Sequence, residues 1–182
     1  VLIDPGDDAP SIFEALAKHD LALKYMLCTH GHMDHIAASG EIKASTGAQI
    51  YIHEKDQWLV DDLPEHCRYL GLQPVDPPGI DAYYRNGEAL VLCGLNFEII
   101  STPGHTPGGV CLHLEDHLFV GDTLFHLSIG RCDLPGGNYE QLMSSIWNNL
   151  LPLKDSLIVH SGHGEDSTLG IEKVQNPFLA VE

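Results

Sequence analysis

Basic residues are what this chain most lacks. Nine Lys and Arg stand against 26 Asp and Glu, a formal net charge of −17. A field of that sign repels phosphate backbones and anionic lipid headgroups, which argues against nucleic acid as a partner. Long apolar runs are also missing. No stretch reaches the roughly 18 residues that mark a membrane span, so no membrane partner is expected. The five cysteines, Cys28, Cys67, Cys93, Cys111 and Cys132, contain no CxxC pair. Odd in number and scattered, they argue against a disulfide framework or a thiolate zinc knuckle and for free thiols in the cytoplasm. Internal repeats and low-complexity segments are absent too. What remains, 182 residues at 43% hydrophobic and 19% charged, is the composition of one globular domain spanning 1–182.

Elements follow from punctuation and period. VLIDPG reads as a buried strand ending in a turn. A strand's neighbours usually come from nearby sequence, so a strand at residue 1 suggests a missing N-terminal hairpin. Asp8 and Pro10 start a helix running to about His19, with Ile12, Phe13, Leu16 and Ala17 on its apolar side. KYMLCTH is a strand, 36–46 a helix, AQIYIH a strand and EKDQWLVDD a short helix. The proline-rich segment 63–82 reads as a long loop walling a site. Between Glu88 and Thr123 the period changes to that of consecutive strands: EALVLCG, LNFEIIST, GVCLHLE and HLFVGDT. Asn138 caps a helix carrying Leu142, Ile146 and Leu150 on one face; SLIVHSG is a last strand and STLGIEKVQ a last helix. Helices between strands at each end, and strands in series between them, predict an α/β fold of two packed sheets with helices outside.

The chemistry is concentrated behind the second strand, in CTHGHMDHIAASG, residues 28–40. In an extended segment alternate side chains share a side, so His30, His32 and Asp34 can converge; His35 joins them if the chain turns into the helix that follows. His105 in STPGHTPGG and His163 in HSGHGED occupy glycine-flanked loops after strands, and Asp122 ends the strand in FVGDT. Imidazole and carboxylate are ligands suited to zinc and its neighbours. One open catalytic zinc uses about three protein ligands, and seven candidates suit two ions if a carboxylate bridges. The assignment is His30, His32 and His105 to one ion, Asp34, His35 and His163 to the other, with Asp122 shared. His19, His53, His66, His113, His117, His126 and His160 are read as ordinary hydrogen-bonded residues.

THGHMDH, PGHTPGG, GDTLF and SGHG, in that order, resemble the metallo-β-lactamase-fold superfamily. SIGRCDLPGGNYEQL and GEDSTLGIEKVQNPFL are similar to its glyoxalase II-like branch, the hydroxyacylglutathione hydrolases. The resemblance implies a four-layer αββα sandwich, lacking its first strands if a hairpin is missing. It also implies a dinuclear site holding the seven residues above, and an Asp4 that holds the motif loop. The activity expected is hydrolysis of a small thioester, such as S-lactoylglutathione, by hydroxide held between two divalent ions. Zinc is the first expectation for the metal, and iron or manganese fit the same donors. Asp34 would orient the attacking group or relay its proton, and Arg131 would steady a substrate carboxylate. The larger glyoxalase II enzymes carry a C-terminal helical extension that helps hold glutathione; 19 residues follow His163 here, so a shorter relative is the natural fit. The same scaffold resembles persulfide dioxygenases, which use a single iron, and other metallo-β-lactamase-fold hydrolases; these are the alternatives.

Overall fold

The computed structural model describes residues 1–179, which fall into two compact units, Val1–Tyr84 and a second that begins at Arg85. The first is built on four strands, β1 (Leu2–Ile3), β2 (Tyr25–Leu27), β3 (Gln49–Ile52) and β4 (Ala82–Tyr83), in sequential order and all parallel. Parallel neighbours need crossovers, and helices supply them. Helix α1 (Ala9–Lys18) joins β1 to β2, so the first strand does find its neighbour in nearby sequence. Asp8 caps α1 by accepting from the Ser11 N–H at 3.3 Å, with Pro10 in the first turn, where a missing N–H costs nothing. Ile12, Phe13 and Leu16 pack on a core of Met26, Cys28, Ile36, Ile42, Ile50 and Ile52, whereas Ala17 lies exposed.

Two expectations for this unit need correction. The helix expected over 36–46 is two pieces, α2 (Met33–Ile36) and α3 (Ser39–Thr46); the chain bends between them, where the Ala38 N–H donates to the Pro5 carbonyl at 3.1 Å. The segment 63–82 is not all loop. After α4 (Gln57–Asp61), Leu63–Tyr69 forms α5, with Pro64 in its first turn, so the proline taken as a loop marker is a helix starter. Residues 75–79 line a cavity of about 580 Å³ with Ala38, Gly40 and Lys43, and none of the seven candidate ligands lines it.

The second unit holds a six-stranded sheet with strands β5 (Ala89–Leu92), β6 (Leu95–Ser101), β7 (Val110–Leu114), β8 (His117–Gly121), β11 (Ile158–Ser161) and β12 (Ser167–Thr168). Their order is β12-β11-β8-β7-β6-β5. All pairs are antiparallel except β8 with β11, which is reached through α6 (Tyr139–Ser145) and a π-helical turn over Ile146–Leu150. Asn138 caps α6 at 2.9 Å from the Gln141 N–H. Leu142, Ile146 and Leu150 share one core with Leu118, Val120 and Val159, as their spacing predicts. A small hairpin of β9 (Leu124–Phe125) and β10 (Ser128–Ile129), unforeseen in sequence, follows Asp122. Helix α7 (Leu169–Gln175) closes the unit.

Candidate metal centre

In the first unit the motif loop leaves β2 and turns at His32 into α2, so the alternation rule applies only to His30 and His32; Asp34 and His35 are helical. The ring centroids of His30 and His32 lie 4.9 Å apart, those of His30 and His35 4.1 Å, and Asp34 Oδ2 is 3.8 Å from His35 Nε2. His30 and His35 are buried and Asp34 is half exposed.

Asp4 organises this group. Its Oδ1 accepts from the Thr29 N–H at 2.6 Å, and its Oδ2 accepts from Thr29 Oγ1 at 2.7 Å and from His35 Nδ1 at 2.9 Å. Because a carboxylate only accepts, the Thr29 hydroxyl donates to it, and the Thr29 oxygen accepts in turn from His30 Nδ1 at 3.1 Å. Both imidazoles therefore carry hydrogen on Nδ1 and a lone pair on Nε2, the tautomer a metal ligand needs. Asp56, fully buried, accepts from the Gly31 N–H at 3.1 Å and fixes the bend between His30 and His32. Gly6 lies so close to this loop that a Cβ there would come within 1.8 Å of the Asp34 carbonyl oxygen.

In the second unit His105 lies in the β6–β7 loop, Asp122 directly after β8 and His163 two residues past the end of β11. His105 Nδ1 donates to the Arg131 carbonyl at 2.7 Å, which again places the lone pair on Nε2. Its Nε2 and that of His163 each lie 3.6 Å from the same oxygen, Asp122 Oδ2. An imidazole lone pair and a carboxylate oxygen at that distance both seek positive charge, and one divalent cation satisfies both. The backbone is held for this: the buried Thr102 and Thr123 hydroxyls meet at 3.0 Å, tying the start of the His105 loop to the residue after Asp122. A Cβ at Gly130 would come within 1.7 Å of the Asp122 carbonyl oxygen.

Each unit thus gathers its own share of the candidates, His30, His32, Asp34 and His35 in one, His105, Asp122 and His163 in the other. The donor set fits divalent metal in both. Arg131 is exposed, its guanidinium gripping Asp133 through two hydrogen bonds at 2.8 and 2.7 Å, and that grip holds the Asp133 carboxyl down at about 2. Sequence reasoning gave no role to Thr29, although it opens the THGHMDH motif, nor to Asp56, which ends a short 3-10 turn after β3 and carries no motif signal.

Residues 1–163 match the family model described as "Metallo-beta-lactamase superfamily". Among curated relatives, hydroxyacylglutathione hydrolase GloC of Haemophilus influenzae is 45% identical over 182 residues, 98% of this chain and 86% of the relative. The solved structure of the BLEG-1 B3 metallo-β-lactamase superposes with a TM-score of 0.92 at 37% identity, over 98% of this chain and 87% of the other. TTHA1623, solved in a di-iron-bound form, gives 0.90 at 33%, over 97% and 88%.

Proposed function

The chain belongs to the metallo-β-lactamase superfamily and is a metallo-hydrolase of it, and from that premise we propose that it cleaves a small thioester of the hydroxyacylglutathione type. The observation that carries the proposal is the set of oriented histidines: His30, His35 and His105 each have Nδ1 committed to an acceptor, which puts the lone pair on Nε2. Support for the substrate comes from the GloC relative. In this reading His30, His32 and His105 hold one ion, Asp34, His35 and His163 the other, and Asp122 both. Such a pair, when bound, supplies activated water near neutral pH and takes up charge on the carbonyl oxygen.

The chain's own residues do the rest. Asp34, half exposed beside His35, accepts a proton from the attacking water and passes it to solvent. Thiolate is a good leaving group, so no strong general acid is required. Arg131 exchanges Asp133 for a substrate carboxylate. Zinc heads the candidates for the metal, and the di-iron-bound TTHA1623 structure supports iron as the second; the second reading is an oxygen-dependent persulfide dioxygenase, which would use a single iron. Five free cysteines support the cytoplasm as its place, and no helix among the described residues is long and apolar enough to cross a membrane.

The test is a thioester panel led by S-D-lactoylglutathione, run under argon, beside oxygen uptake with glutathione persulfide. Thioester cleavage without oxygen is expected. Oxygen consumption with persulfide and inert thioesters would replace this reading with the second.

A further inference from the structure

Three polar side chains outside the seven form a continuous chain in the second unit. His117 opens β8 and His160 lies in β11, its parallel neighbour; His117 Nδ1 and His160 Nε2 are 2.9 Å apart, and His160 Nδ1 is 2.8 Å from Asp166 Oδ2. The carboxylate only accepts, so His160 donates Nδ1–H to Asp166 and presents its Nε2 lone pair to a hydrogen on His117 Nδ1. Every donor faces an acceptor in one direction. Phe119, two residues after His117 on β8, stacks on the His160 ring at 4.8 Å between centroids.

The position of this chain gives it meaning. β8 ends at Gly121, directly before Asp122, and β11 runs into the His163 loop. Between His160 and Ser161 the register of the two strands slips: His160 faces Phe119, but Ser161 faces Gly121. Bulges of this kind re-aim the side chains beyond them. A bulge also loosens the ladder where it occurs, so a side-chain tie across the same two strands has a job to do. His117–His160 ties the strands before the slip. His160–Asp166 ties the far end of the loop, three residues past His163, back to the strand it left. A third bond, Ser161 Oγ to the His163 carbonyl at 2.7 Å, braces the loop from within.

We propose that His160 is a positioning residue for the candidate metal centre: with His117 and Asp166 it holds the slipped β8–β11 register and the loop 161–166, so that His163 Nε2 and Asp122 Oδ2 face each other at 3.6 Å. It is not one of the seven candidate ligands. The inference rests on the assignment of His163 and Asp122 as ligands.

Zinc affinity, measured on the metal-free full chain by competition with a chromophoric chelator, tests it. Outer-shell partners of metal ligands are worth about 10–100-fold in affinity, and this one acts through a loop, so His160→Leu should weaken one of two zinc equivalents by about tenfold. His160→Asn, whose amide N–H can still reach Asp166, should recover most of the loss. Asp166→Ala changes an exposed loop residue and leaves the strand intact, so it should reproduce the Leu variant even if that variant folds poorly. The absorption bands of the cobalt-loaded protein should shift in the Leu and Ala variants and return in Asn. Variants that bind zinc within twofold of the parent, with unchanged cobalt spectra, overturn the inference alone. A parent that binds no zinc overturns the metal assignment and the inference with it.

Discussion

Replacing Asp4 by Asn keeps the side chain's volume and exchanges one oxygen for an NH₂. Oδ2 now accepts from both Thr29 Oγ1 and His35 Nδ1. An amide nitrogen there can only donate, so His35 must turn to the other tautomer, hydrogen on Nε2, and the Thr29 hydroxyl must reverse, which drives His30 the same way. Flipping the amide is no escape, because its NH₂ would then face the Thr29 N–H, whose acceptor now sits at 2.6 Å. Two ligands lose the lone pair that binds metal. Zinc affinity should fall about 10–100-fold, equivalent to about 1.4–2.7 kcal/mol. The metal-free fold loses one charge-assisted acceptor site, about 1–3 kcal/mol, a melting decrease of about 2–12 °C for a chain of this size. Chelator competition and melting of the metal-free protein read the two quantities separately. An Asn variant that melts near the parent and binds zinc as tightly would refute the tautomer argument.

Asp122→Ala should lose metal occupancy and thioester hydrolysis together, by elemental analysis and turnover; keeping both rejects the shared carboxylate. Glu172, buried in α7, would have its pKa raised by burial, but Ser167, Asn176, the Leu127 N–H and His126 outweigh this and hold it below its ordinary value. Its stabilising contribution is therefore present above the unfolded value of about 4.3 and is lost as pH falls through the lower folded value. The urea-midpoint gap between parent and Glu172→Gln should close on acidification, and a gap constant down to pH 3 contradicts the assignment. A thiol reagent should modify exposed Cys93 first and half-buried Cys132 more slowly. Cys28, Cys67 and Cys111 should react only on unfolding, since all are fully buried and burial pushes Cys111 up to about 11 and Cys28 well above its usual value.

The motif histidines were legible because imidazoles clustered behind an apolar strand have few other uses, and His105 and His163 because glycines flank them. What could not be read was support. Asp4 entered only through family resemblance, since nothing local ties a residue in the first turn to Thr29 and His35; the parallel pairing of β1 with β2 does that. Pro64 misled because proline marks loops and first helical turns alike. The hairpin of β9 and β10 was invisible in HLSIGR, where Leu127 takes φ 55° with its N–H held by Glu172, 45 residues on. His160 looked like any strand histidine until the slip beside it and Asp166 beyond it were placed.

Metal content is the most direct test of the central claim. Protein purified anaerobically without chelators or added metal, then analysed for zinc, iron and manganese, should carry close to two ions per chain, falling towards zero in Asp122→Ala. Parent protein that holds no ion, and binds none when zinc is supplied, would contradict the claim that these seven side chains serve metal.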